Sequence, residues 1–188
     1  MGVLNVTPDS FSDGGVYLAV DQALQHAKQM QAEGADIIDI GAESSRPGAQ
    51  PIDETEELRR LLPVLEAVHA AVPLPLSVDT TKAAVARRAI QAGATMVNDI
   101  TALRGDPLMA PLIAQTGAAV VLMHMQGTPQ TMQQAPRYSH VVEEVLAFLH
   151  ERAQAAVSHG IKASQIVLDP GFGFGKLEEH NLQLLAEF

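Results

Sequence analysis

Cysteine is absent from all 188 residues. That excludes a disulfide, a thiolate nucleophile and any zinc site built on cysteine. It leaves the redox compartment open, with the cytoplasm as the default. Basic residues are scarce, with 12 Lys and Arg against 22 Asp and Glu and a net charge of −10. Nucleic acid and anionic membrane both require clustered basic side chains, so neither fits as a partner. No apolar run is long enough to span a bilayer, and nothing reads as a signal peptide. Low-complexity segments and linkers are missing too, which predicts a single domain over residues 1–188. What remains, 47% apolar and 18% charged, is the composition of an ordinary globular domain.

Six apolar runs each stop at a polar residue. Val3-Leu4 ends at Asn5, Ile37-Ile38 at Asp39, and Leu76-Ser77-Val78 at Asp79. Met96-Val97 ends at Asn98-Asp99, Val120 to Met123 at His124, and Ile166 to Leu168 at Asp169. As parallel strands of one barrel, these runs would bring their polar ends to one mouth, where the active sites of that architecture lie.

Helical patterns fall between the runs, and several close on glycine: Gly34, Gly93, Gly117 and Gly160. A left-handed residue after a helix favours glycine, which has no Cβ to clash. The texts Gly34-Ala35-Asp36-Ile37, Gly93-Ala94-Thr95-Met96 and Gly117-Ala118-Ala119-Val120 nearly superpose, as expected of alternating β and α units. Val20, Leu24, Ala27 and Met30 follow helical spacing. Asp53 with Glu56 three residues on reads as a helix cap, and Pro63 predicts a kink or restart within that helix. Thr81 is expected to cap a helix ending near Ala92, Asp106-Pro107 to open another, and Val141 to Ser158 to form a long one.

A complete (β/α)8 barrel holds eight units in about 250 residues. About six are legible here, so the expected fold is an α/β TIM barrel with two units missing at the C-terminal end. Such a remnant would expose parallel edges and apolar inner side chains. A shorter doubly wound sheet is the competing architecture.

The run from Asn5 to Gly15 is rich in small polar residues and too long for a tight turn, so it is expected to cover the mouth. The run from Asp39 to Ala49 combines a carboxylate with hydroxyls and Arg46, whose planar guanidinium suits anions. Ser77 to Thr81 and Val97 to Ile100 place carboxylate and amide groups where they can read the edge of a flat heterocycle. His124 reads as a structural histidine ahead of an acid or a ligand, and Met123 and Met125 as packing. The stretch from Asp169 to Lys176 lacks the spacing of either nucleotide-binding glycine motif. Its glycines would let the backbone approach a ligand, with Phe172 or Phe174 as an aromatic wall.

Taken in order, the run from Gly2 to Gly15 and the later ones at 39–48, 77–81, 97–100, 122–127 and 169–176 resemble dihydropteroate synthase, the folate-pathway enzyme inhibited by sulfonamides. The resemblance implies a TIM barrel and a transferase. It would condense 6-hydroxymethyl-7,8-dihydropterin diphosphate with 4-aminobenzoate, giving dihydropteroate and pyrophosphate. By motif position it assigns Asp79, Asn98 and Asp169 to the pterin, with Asp39 in the same cavity and Asp169 and Asp79 as the catalytic carboxylates. Asn5 would coordinate Mg²⁺. Ser45, Arg46 and Pro47 would belong to a mobile second loop, and Phe174 would face the aminobenzoate. Ser45 stands where the family often has threonine, and Ala42 where glycine is common. The family's seventh and eighth strands supply further diphosphate ligands. Their absence leads to the expectation that the 188-residue chain alone is inactive and that dimerisation belongs to the longer protein. A pterin-binding methyltransferase domain and a non-catalytic pterin-binding relative are the alternatives.

Overall fold

A computed structural model describes residues 1–6 and 15–187 of the chain, without the side chains of residues 15–19. Most of the first loop, residues 7–14, therefore lies outside the described residues. Six strands alternate with six helices: β1 Gly2–Asn5, α1 Gly15–Ala32, β2 Ile38–Gly41, α2 Glu54–Ala71, β3 Leu76–Asp79, α3 Ala83–Gln91, β4 Met96–Asp99, α4 Met109–Thr116, β5 Ala119–Met123, α5 Val141–Ser158, β6 Ile166–Asp169 and α6 Glu178–Glu187. The fold divides into two compact units, Met1–Ser44 with Pro51–Asn98, and Ser45–Gln50 with Asp99–Phe188.

In the first unit β1 to β4 pair in parallel, each with the next. The register sets Asn5 beside Gly41, Gly41 beside Asp79, and Asp79 beside Asn98. Side chains alternate between the faces of a strand. Leu4, Ile40, Val78 and Val97 therefore share one face, and all are buried. The opposite face carries Asn5, Asp79 and Asn98, with Asp39 beside Ser77 one layer deeper. Asp39 is thus inside β2 rather than at its end, because the strand runs two residues further, to Gly41. Val3, also on this face, is half-exposed.

The helices of this unit follow the apolar pattern. Ala23 and Ala27 of α1 are fully buried, as are Leu61, Leu65 and Val68 of α2. Asp53 caps α2 as its spacing predicts, with Oδ1 accepting from the Glu56 amide at 2.8 Å. Pro63 does not divide α2. A proline inside a helix costs about 3 kcal/mol, but the buried stripe on both sides of Pro63 holds the helix continuous. Thr81 caps nothing; the hydroxyl that accepts from the Lys82 amide, at 3.2 Å, belongs to Thr80.

In the second unit β5 and β6 pair in parallel, with Met123 beside Asp169. The His124 amide extends the ladder to the Asp169 carbonyl at 2.9 Å. Helix α4 begins two residues after Asp106-Pro107, because Asp106 Oδ1 takes the Leu108 amide at 2.9 Å in a turn that precedes the helix. Helix α5 has the predicted bounds, and Glu144 accepts from the Ser139 and His140 amides at its start, at 2.7 and 3.0 Å. Val141, Val145 and Leu149 of α5 pack with Leu184 of α6. Gly34 and Gly93 in the first unit and Gly117 and Gly160 in the second all have positive φ, as their positions after helices predict.

Candidate functional site

The first unit gathers polar side chains on one face of its sheet. Asp39 is 3% exposed and Ser77 fully buried. Asn98 donates through Nδ2 to Asp39 Oδ2 at 3.1 Å. Asp39 Oδ1, Ser77 Oγ and Asn98 Oδ1 are buried without a hydrogen-bond partner among the described residues. Burial pushes the Asp39 carboxyl above the usual carboxylate range, and the neighbouring Ser77 hydroxyl and Asn98 amide only partly offset this. Ser77 Oγ lies close enough to favour the charge but makes no well-formed hydrogen bond. An unsatisfied buried polar atom costs about 1–3 kcal/mol. Three on one face suit a ligand that presents several polar hydrogens. Gly41 keeps the space open, since a Cβ there would stand 3.2 Å from Asp79 Oδ2. Asp79 is half-buried and Asn5 exposed, each closing its strand in the same layer.

The same unit also holds an ion cluster that sequence reasoning missed. Lys82 donates to Glu43 and to Glu57, the latter at 2.6 Å. Burial works against the ammonium, but the two carboxylates outweigh it and raise its pKa. Glu57 is fully buried, although in sequence it reads as one of several acids in the first turn of α2. Only the pairing across 25 residues reveals it.

The second unit holds the glycine-rich turn after β6. Asp169 Oδ1 accepts from the Gly171 amide at 2.7 Å. Gln133 donates to the Gly173 carbonyl at 2.6 Å, and the Tyr138 hydroxyl to the Gly175 carbonyl at 2.7 Å. Phe174 packs on Ile100, Met123, Met125 and Met132, so both predicted packing methionines do pack. Phe172, the other candidate wall, is half-exposed. Lys176, unremarked as a functional residue in the sequence, is 3% exposed and folds back into the turn. His124 is buried, with the edge of one ring against the face of the other in its contact with Phe148. Burial, then the charge of Lys176, lower its pKa to about 4, so the imidazole is neutral near pH 7.

Asp99 anchors a separate turn. It is fully buried and accepts from the Thr101 amide and hydroxyl and the Leu103 amide, at 2.8, 2.7 and 2.9 Å. Burial still raises its pKa against those bonds. Ala102 and Leu103 sit at φ 52 and 64°, an unusual pair of left-handed non-glycine residues. The segment Ser45–Gln50 belongs to this unit, tied by the Gly48 amide to the Pro129 carbonyl at 3.2 Å. Within it Ser45 is half-buried, while Arg46 and Pro47 are exposed. Among the described residues no three His, Cys, Asp or Glu side chains cluster to hold a metal ion, and no helix is long and apolar enough to cross a membrane.

Comparison with known proteins covers the whole chain. The family model described as pterin binding enzyme matches residues 1–188. The dihydropteroate synthase of Synechocystis is 46% identical over 187 residues, which is 100% of this chain and 65% of that protein. The chain thus spans about two thirds of that relative's length. A crystal structure of the Yersinia pestis dihydropteroate synthase with a sulfonamide drug complex superposes with a TM-score of 0.92 at 50% identity, covering 100% of this chain and 68% of that one. The Xanthomonas albilineans dihydropteroate synthase with 4-aminobenzoic acid superposes with a TM-score of 0.91 at 51% identity, covering 99% and 66%. The six parallel strand–helix units accordingly carry the α/β TIM-barrel fold of those enzymes, and this chain belongs to the pterin-binding enzyme family, among the dihydropteroate synthases.

Proposed function

We propose that the protein condenses 6-hydroxymethyl-7,8-dihydropterin diphosphate with 4-aminobenzoate, giving dihydropteroate and pyrophosphate. The observation that carries this reading is the set of three unpartnered buried atoms, Asp39 Oδ1, Ser77 Oγ and Asn98 Oδ1. The aminopyrimidine edge of a pterin presents N–H donors in a plane, which suits acceptors held in adjacent strands. Asp39, Asn98 and Asp79 bind and orient that edge. Asp169 completes the pterin set by motif position, and its carboxylate stabilises the positive charge that develops on the pterin methylene. The C–O bond to the diphosphate breaks with its electron pair leaving on pyrophosphate. The aryl amine nitrogen forms the new C–N bond and loses a proton. Phe174 walls the aminobenzoate ring. Ser45, Arg46 and Pro47 form the second loop, with Arg46 offering a guanidinium to anionic substrate groups.

Mg²⁺ would neutralise charge on the leaving diphosphate. Asn5, exposed at the end of β1, fits this role as one neutral oxygen donor. Mg²⁺ keeps several waters and is often held largely by substrate phosphates, so a lone amide suits an ion that arrives with the diphosphate. The same reading makes the full-length protein a cytoplasmic homodimer, with no nucleic acid or membrane partner.

Calorimetric titration of the purified chain with the pterin diphosphate and Mg²⁺, with and without 4-aminobenzoate, tests the reading. Saturable pterin binding is expected. It weakens by at least about tenfold in Asn98→Ala, which removes one acceptor and unpairs Asp39 Oδ2. Absence of saturable binding, or an unchanged affinity in that variant, overturns the assignment.

A further inference from the structure

A buried ammonium with no carboxylate in hydrogen-bonding distance is costly to keep. Among the described residues, Lys176 is such a group. Its Nζ lies within hydrogen-bonding distance of four acceptors for its three N–H groups: the Gly171 carbonyl at 2.8 Å, the Phe174 carbonyl at 3.0 Å, the His124 imidazole Nδ1 at 3.0 Å and the His124 carbonyl at 3.3 Å. Every acceptor is neutral. Two of them lie in the glycine-rich turn itself, on either side of Phe172-Gly173. Two belong to His124, whose amide is bonded to the Asp169 carbonyl. The side chain therefore fills the inside of the turn and joins it to the end of β5.

We propose that Lys176 is a positioning residue, the internal template of the Asp169–Gly175 turn, and that through this turn it sets the Asp169 carboxylate and the Phe174 ring for the substrates. The inference rests on the transferase reading above. The path to Asp169 is short: Lys176 holds the Gly171 carbonyl, and the Gly171 amide donates to Asp169 Oδ1 at 2.7 Å. The path to Phe174 is direct, through its carbonyl, while its amide closes on the Gly171 carbonyl at 3.1 Å. The backbone comes so near that a Cβ on Gly171 would stand 2.0 Å from the His124 carbonyl oxygen. Arginine cannot replace the lysine, because its flat fork does not point donors at acceptors converging on one point. Burial lowers the Lys176 pKa to about 8, opposed by the charge of Asp169. The other ionisable groups of this cluster are Asp169 at the end of β6, His124 after β5, Tyr138 before α5, His180 of α6 against the Tyr138 ring, Glu144 on α5 and Arg104 after β4. Tyr138 is pushed up to about 12 by burial and by Glu144, so of these two groups Lys176 titrates nearer neutrality.

Lys176→Met and Lys176→Arg in the full chain provide the test, read by NMR amide exchange and by calorimetry with the pterin diphosphate and Mg²⁺. In Lys176→Met the Gly171 and Phe174 amides should exchange at least about tenfold faster while the Val121 and Leu122 amides of β5 keep their rates. The His124 imidazole pKa should rise as the neighbouring charge disappears. Pterin affinity should fall at least about tenfold, with no rescue by Lys176→Arg. In the parent, affinity should decline from about pH 7 to about pH 9.5 as the ammonium deprotonates, and Lys176→Met should lose that dependence. Parent-like exchange in the turn, or parent-like affinity and pH profile, overturns the proposal. If Lys176→Met does not fold, the parent decides: exchange at Gly171 and Phe174 relative to β5 must rise over the same pH range, and a flat ratio overturns the template role. If the parent binds no pterin, the transferase reading fails by itself, and the exchange ratios still judge the template.

Discussion

Asp39 shows how a single residue can oppose stability, as the proposed pterin site would require. Its carboxylate is buried, one oxygen is unpaired, and the charged form is disfavoured. A carboxyl whose folded pKa is raised costs stability as pH climbs from the unfolded value through the folded one, so the cost grows above the ordinary carboxylate range. Asp39→Asn should therefore raise the melting temperature at pH 7 by about 2–4 °C, corresponding to about 1 kcal/mol, while pterin affinity drops. Scanning calorimetry and ligand titration on the two proteins check this, and a variant that melts lower would show that the charge stabilises the fold. Asp39 stood out in the sequence as a polar stop to an apolar run. Its depth did not, because the strand continues through Ile40 to Gly41, and only the pairing with Ser77 sets it one layer below Asp79.

Among the elements, turns carry the tightest constraints. Gly34 and Gly171 both have positive φ, but a Cβ on Gly34 would meet nothing within 4 Å, whereas one on Gly171 would run into the His124 carbonyl. Gly34→Ala should cost about 1 kcal/mol from backbone strain alone. Gly171→Ala should cost about 3 kcal/mol or more, because backbone has to move and the Asp169 turn moves with it. Urea titration of both variants separates the two, and equal midpoints would contradict the close approach. Helix bounds were legible wherever apolar spacing and an Asp cap agreed, as at Asp53. The cap was misread at Thr81 and the start at Asp106, where a polar side chain, of Thr80 and of Asp106, serves the turn before the helix. The local text cannot separate these two uses, since both place a small acceptor two or three residues ahead of an amide.

For the molecule as a whole, pH should act through buried groups. His124 is held near pKa 4, well below its unfolded value. The unfolded chain then binds more protons, so stability is full above about pH 6.5 and is lost as pH falls toward about 4, by about 2–3 kcal/mol over that window. Asp39 and Asp99, with raised values, act in the opposite direction. The melting temperature measured from about pH 7.5 to about pH 4.5 should fall, and His124→Gln should flatten that fall. An identical slope in the variant would assign the acid sensitivity elsewhere.

Strand and helix order, the glycine stops and the family could be read from the chain alone. They depend on periodicity and local stereochemistry, which act between residues a few positions apart. The unpaired atoms of Asp39, Ser77 and Asn98, the burial of Glu57 under Lys82, and the lysine inside the Asp169 turn were decided by tertiary structure. Each depends on what distant segments leave in place of water, and the cost of an unpaired polar group exists only once that water has gone.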